Sequence, residues 1–186
     1  FDANAEDLVR RAGGKPIRVA TKSLRVPALV RRALDRDGFA GVLSYSLREA
    51  LWLHREGLTD DVVMGYPTVD RAALHELTSD PAACAAITLM VDDIAHLDVV
   101  DEVRASDAVV RVALDVDAGL HLGRAHVGPK RSPLHDAPDV VTLARQVAER
   151  PGFSLVGVMT YEGQVAGVPD DVPGARSRSL AVRRMK

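Results

Sequence analysis

The sequence predicts a parallel α/β architecture, and within that class a TIM-type (β/α) barrel. Three observations support this reading. Six short, nearly continuous β-branched runs are spread along 186 residues, as expected of strands buried on both faces. Helix-like stretches separate most of them, and the first five runs start about 20 to 25 residues apart, the length of a βα unit. No Gly-rich turn follows the first run, which favours an evenly wound barrel over a doubly wound nucleotide fold.

"FDANAEDLVRRAGG" opens the chain as an amphipathic helix and leads into "IRVAT" from Ile17. "PALVRRALDRDG" follows, with apolar residues at Ala28, Leu29, Ala33 and Leu34, Pro27 in its first turn and Gly38 as its stop. After "GVLSY" from Gly41 comes "SLREALWLHREGL". There Ser46 and Glu49 have capping-box spacing, Gly57 ends the helix, and Trp52 and Leu53 are assigned to its core face. "DVVMGY" from Asp61, "TVDRAALHELTSD", an alanine-rich stretch holding Cys84, "AITLMV" from Ala86, "DIAHLDVVDEVRASD" and "VVRVALDV" from Val109 continue the alternation. The sixth run, "SLVGVMTY" from Ser154, comes at about twice the usual spacing, because the long loop "DAGLHLGRAHVGPKRSPLHDAP" and the helix "DVVTLARQVAERPG" intervene. A closed barrel has eight units. Six are visible, so residues 1–186 are read as one partial barrel domain of a longer protein.

Composition narrows the function. Hydrophobic residues make up 47%, charged residues 27% and the net charge is −2, a globular composition with no footprint for nucleic acid or a membrane surface. No apolar stretch approaches the roughly 20 residues of a spanning helix, and no signal peptide is visible. One cysteine, Cys84, cannot form an internal disulfide, which points to a reducing cytoplasm.

Barrel enzymes gather their chemistry at the C-terminal strand ends. Those ends carry Thr21-Lys22-Ser23, Ser44-Tyr45-Ser46, Gly65-Tyr66-Pro67, Asp92-Asp93, Asp115-Val116-Asp117 and Thr160-Tyr161-Glu162. Of 24 basic side chains only Lys15, Lys22, Lys130 and Lys186 are lysines, and Lys22 alone stands on that face. Arginine cannot form a Schiff base. A lysine can, once desolvation or neighbouring cations lower its pKa. The plainer reading is a lysine that reaches into solvent or pairs with Asp92 or Asp117. Arg25 reads as helix decoration, and His54, His75 and His96 fall at wide spacing within helices, so no metal site is assigned. Asp60-Asp61 and Asp92-Asp93 read as loop and cap residues.

"PIRVATKSLRVPALVRRAL" resembles the first barrel strand of the fold-type III pyridoxal-phosphate enzymes, the alanine racemase N-terminal-domain superfamily. Within that superfamily it is nearest the D-threonine aldolase and D-serine dehydratase branch, and a bacterial subgroup often labelled amino acid deaminase/aldolase. In that branch the lysine is followed by a small hydroxyl residue and then a proline, here Lys22, Ser23 and Pro27. "GFAGVLSYSLREALWLHREGLTDDVVMGYPTVD", "LDVDAGLHLG" and "GFSLVGVMTYEGQVAG" resemble the second and third units, the fifth-strand Asp-x-Gly turn and the sixth strand. Alanine racemases carry a cofactor-contacting arginine in the fifth-strand segment. Here that segment is one residue shorter, with His121 near the place and Arg124 just beyond. The tyrosine that follows the racemase lysine has no counterpart.

The resemblance implies pyridoxal 5'-phosphate held by a Schiff base on Lys22, with His121, Arg124, Tyr161 and Gln164 as further cofactor-binding candidates. It implies a lyase that cleaves or deaminates a D-β-hydroxy amino acid by aldol cleavage or β-elimination. An amino-acid racemase and a non-catalytic pyridoxal-phosphate homeostasis protein are the alternatives, and a barrel aldolase using Lys22 directly on a sugar phosphate is a third. It also implies that any C-terminal β-domain and the aldolase branch's metal ligands lie beyond residue 186, and that the full-length protein is able to form a homodimer. Barrel phosphate sites usually come from the loops after strands seven and eight, which places phosphate-binding residues beyond residue 186 as well.

Overall fold

The computed structural model describes residues 1–122, 125–163 and 169–185. Its elements run α1 (Asp2–Ala12), β1 (Ile17–Ala20), α2 (Pro27–Leu34), β2 (Phe39–Ser44), α3 (Leu47–Arg55), β3 (Val62–Met64), α4 (Arg71–Thr78), α5 (Pro81–Ala86) and β4 (Ile87–Val91). They continue with α6 (Ala95–Val103), β5 (Val110–Val116), β6 (Leu120–Leu122), β7 (Ala125–Val127), α7 (Ala137–Glu149), β8 (Phe153–Thr160) and α8 (Arg176–Met185). Six strands form one parallel sheet in the order β1-β2-β3-β4-β5-β8. All six runs read from the sequence are these six strands, in chain order, and the α/β class holds.

Strand period 2 divides the sheet into two faces. One face carries Val19, Val42, Val62, Met64, Ile87, Leu89, Val91, Val110, Val112 and Leu114, all buried in the core. Leu51 of α3, Leu74 and Leu77 of α4, Leu97 of α6 and Val147 of α7 belong to the same core. Each such side chain stabilises the fold by roughly 1.5–3 kcal/mol. The alternate residues of the strands, Arg18, Ala20, Leu43, Val63, Thr88, Arg111 and Ala113, line a cavity on the concave side.

Local chemistry sets the helix starts. Pro27 occupies the first turn of α2, where its missing N–H is not needed. Ser46, Asp70, Asp80 and Asp136 cap α3, α4, α5 and α7 through their side-chain oxygens. The capping box differs from its usual form. Glu49 Oε2 accepts from Tyr45 N–H (3.1 Å) and Ser44 Oγ (3.0 Å), one residue further back than the cap itself.

Three expectations need correction. The long loop after β5 contains an antiparallel hairpin, β6–β7, with His121 opposite His126. Its strands are three residues each, too short to show an alternation. Trp52 is 40% exposed rather than in the core. It follows the buried Leu51 and precedes the buried Leu53, so it falls on the polar stripe of α3. Gly38 does not stop α2, which ends at a helical Asp35 cap. Gly38 instead takes a positive φ of 97° in the turn into β2.

Candidate active site

The concave side encloses a cavity of about 700 Å³, within the range of small-molecule sites. Its mouth, at the C-terminal strand ends, is lined by Lys22, Tyr45, Tyr66, Arg131 and Tyr161, and its floor by Arg18 and Arg111. The chain has three tyrosines, and all three are at this mouth.

Lys22 sits in a turn just past β1. Thr21 N–H still bonds Leu43 O (3.1 Å), while Ser23 and Leu24 N–H turn back to Ala20 O (3.0 and 3.2 Å). The ammonium nitrogen lies 5.2 Å from the Tyr45 ring centroid, and Tyr45 meets the Tyr66 ring at 5.5 Å. The pKa of Lys22 is raised, first by a hydrogen bond and charge interaction with Tyr45 and then by Tyr161 and Tyr66. This differs from the lowered pKa expected of a reactive lysine. Lys22 is exposed, and the groups around its amine are phenols rather than cations. The carboxylates considered as its partners bind elsewhere. Asp92 lies 3.3 Å from His96. Asp117 accepts from Gly119 N–H (2.7 Å) and meets His126 Nε2 at 3.1 Å. Gly119 must be glycine, because a Cβ there would run into that imidazole. This is the physical content of the Asp-x-Gly turn.

Arg131 is the residue the sequence reading missed. Its guanidinium lies 4.5 Å from the Tyr66 ring and 5.7 Å from the Tyr161 ring. Nη2 donates to Gly65 O at 2.6 Å and to Asp115 Oδ2 at 3.2 Å. Burial pushes the Asp115 carboxyl up, and the Arg131 hydrogen bond opposes it. Asp115 Oδ1 and Arg131 Nε are both buried without a hydrogen-bond partner among the described residues. The signal hiding Arg131 is compositional: among 20 arginines in a chain with four lysines, one more in a loop does not stand out.

Of the other predicted residues, Tyr161 lines the cavity. Only the main chain of His121 is described, in β6, and Arg124 and Gln164 lie outside the described residues. Arg25 precedes α2 rather than decorating it. His54 faces Asp60 at 3.8 Å and His75 Nδ1 meets Val103 O at 3.0 Å. Asp93 caps Ala95 N–H (2.9 Å) in front of α6, as read. Asp61 is more than a loop residue, since it pairs with Arg18 at 2.8 Å on the cavity floor. No group of three or more His, Cys, Asp or Glu among the described residues could hold a metal ion.

A parallel α/β sheet with a lysine and a tyrosine–arginine cluster at its C-terminal edge has the layout of a (β/α)-barrel protein. The chain matches the profile of the family "Alanine racemase, N-terminal domain" over residues 1–181. It belongs to that family of fold-type III pyridoxal-phosphate enzymes. Among solved structures, D-threonine aldolase from Filomicrobium marinum superposes with a TM-score of 0.72 at 24% identity, over 99% of this chain and 48% of that one. Alanine racemase from E. faecalis gives 0.60 at 16%, over 97% and 46%. Alanine racemase from Bacillus anthracis with bound L-Ala-P gives 0.60 at 14%, over 99% and 45%. At these identities the likeness speaks for the fold, and the chain spans just under half of each structure. Among curated proteins no sequence matches. Among the described residues no helix is long and apolar enough to cross a membrane.

Proposed function

We propose that this chain forms the lysine-bearing part of a pyridoxal-phosphate-dependent lyase that cleaves or deaminates an amino acid, a D-β-hydroxy amino acid in particular. The observation that carries the reading is Lys22 at the mouth of a cavity of about 700 Å³, the one lysine lining it among the described residues, with three tyrosines and a largely enclosed arginine. These residues fit a planar, anionic, aldehyde-bearing group. Lys22 is the residue that holds it covalently, through an amine that no described carboxylate claims. Arg131 offers the unpartnered Nε donor to an anionic oxygen, with its plane fixed by Asp115, Gly65 O and two aromatic rings. Tyr66 and Tyr161 offer aromatic faces at the mouth. When bound, pyridoxal phosphate supplies an electron sink for a bond broken at the substrate Cα.

Preference for a lyase over a racemase rests on the resemblance of the Lys22, Ser23 and Pro27 stretch to the D-threonine aldolase branch. The remaining barrel strands, the phosphate site and a partner subunit belong to the full-length protein in this reading. The buried thiol of Cys84 is consistent with a reducing cytoplasm.

The full-length protein, incubated with pyridoxal phosphate and reduced with borohydride, carries the pyridoxyl label on the peptide containing Lys22, and Lys22→Ala loses it. A label elsewhere, or none, overturns the reading. Incubation with D- and L-β-hydroxy amino acids then gives aldehyde plus glycine for an aldolase or keto acid plus ammonia for a dehydratase. An enantiomer alone favours the racemase, and no turnover favours the carrier.

A further inference from the structure

Tyr45 stands at the end of β2, and its surroundings are built around it. Its main-chain N–H donates to Glu49 Oε2 at 3.1 Å, and the same oxygen accepts from Ser44 Oγ at 3.0 Å. Glu49 is itself fixed, because its own N–H bonds the Ser46 cap at 3.2 Å. One carboxylate on the first turn of α3 thus ties the end of β2 to the helix that follows. The Tyr45 ring is pinned at 5.5 Å against Tyr66 and stands 5.2 Å from the Lys22 ammonium. The capping-box signal read from the sequence therefore has a second consequence, since its glutamate reaches back to the residue facing Lys22.

We propose that Tyr45, held in place by Glu49, is a positioning residue for Lys22: it fixes the lysine at the cavity mouth and sets how readily its amine gives up a proton. The proposal deepens the reading of Lys22 as the Schiff-base lysine and rests on it for its functional meaning. An amine attacks a carbonyl only after losing its proton. A phenol oxygen and an aromatic face both favour the ammonium form. The groups facing Lys22 are Tyr45 after β2, Tyr66 after β3 and Tyr161 after β8, and all three act in the same direction. Tyr45 acts most strongly, and it alone is tied down by a carboxylate.

The test measures Lys22 itself, without cofactor. Competitive acetylation of the full-length apoprotein across pH, read by peptide mass spectrometry, gives the titration of Lys22, with the Lys15 peptide of the same digest as reference. Tyr45→Phe keeps the ring and removes the hydroxyl. It shifts the Lys22 profile down by about half a pH unit, a roughly threefold faster acetylation at fixed pH below the midpoint, with the Lys15 profile unchanged. Glu49→Ala shifts it in the same direction by freeing Tyr45, and Glu49→Gln, which keeps an acceptor oxygen for Tyr45 N–H, restores the wild-type profile. A Lys22 profile unchanged in Tyr45→Phe overturns the proposal, as does a Lys15 profile that moves equally. Borohydride labelling with pyridoxal phosphate on the same samples reports separately on Lys22 as the cofactor lysine. The two ideas therefore fail independently.

Discussion

The two faces of the sheet are made from the same strands and obey opposite rules. The helix-facing side is apolar and closed: Val42, Val62, Ile87, Val110 and Leu114 are each 0% exposed. The cavity-facing side places Arg18, Thr88 and Arg111 on alternate positions of those strands, with Lys22 in the turn after β1, and leaves Thr88 Oγ1 and Arg111 Nε without partners among the described residues. A fold stabilised on one face can carry groups on the other that contribute little to stability and are free to do chemistry. Arg131 and Asp115 are where the two rules meet: a charged pair with a fully buried carboxylate, whose guanidinium lines the same cavity as Lys22.

The sharpest way to break that contrast is Arg131→Met. It leaves the Asp115 carboxylate buried without its cation and lowers stability in urea melts at neutral pH by about 4 kcal/mol. Adding Asp115→Asn recovers much of that loss, because the stranded charge is removed. Leu114→Ala, one position away and facing the helices, costs about 3 kcal/mol by the cavity it leaves. It does so without altering borohydride labelling of Lys22, whereas Arg131→Met weakens both. Ser46→Ala removes the α3 cap and costs about 1 kcal/mol, readable as a lower thermal midpoint.

The smallest effect is Asp92→Asn. Burial raises the Asp92 pKa, with Asp93 adding to it and His96 opposing. A carboxyl whose folded pKa lies above its unfolded value of 3.8 holds extra protons in the folded state between the two. Stability is therefore gained as pH falls through the folded pKa and lost as it rises. Asp92→Asn should be the more stable protein at neutral pH, and the difference should close as acid melts approach pH 4 or below. A gap that widens in acid would contradict the assignment.

Strand and helix order was readable because buried parallel strands print as continuous β-branched runs and the α3 cap prints as Ser46 with Glu49 three residues on. What escaped has a physical reason in each case. The β6–β7 hairpin is held by three-residue strands, below the length at which period 2 emerges. Trp52 escaped because residue type was weighed above its place on the α3 stripe. Lys22 could be found because lysines are rare here, and Arg131 could not because arginines are common. Tyr45 and Tyr66 offered a signal that went unused: with three tyrosines in the chain, all at strand ends, their convergence on one mouth was countable in advance.

Arg131 bonds the carbonyl of Gly65 across 66 residues of chain. The parallel strand pairs β1 to β5 join segments about 20 to 25 residues apart, and closing a longer loop takes more chain entropy. The sheet therefore forms from near neighbours, and the mouth is fastened by a distant one. Chain entropy therefore predicts that the contacts of Arg131 with the Tyr66 and Tyr161 sides form after the sheet. In native-state hydrogen exchange the amides around Gly65 and the 128–136 segment should open at lower free energy than those of β4 and β5. That outcome would mean a mouth that unfastens while the sheet beneath stays folded.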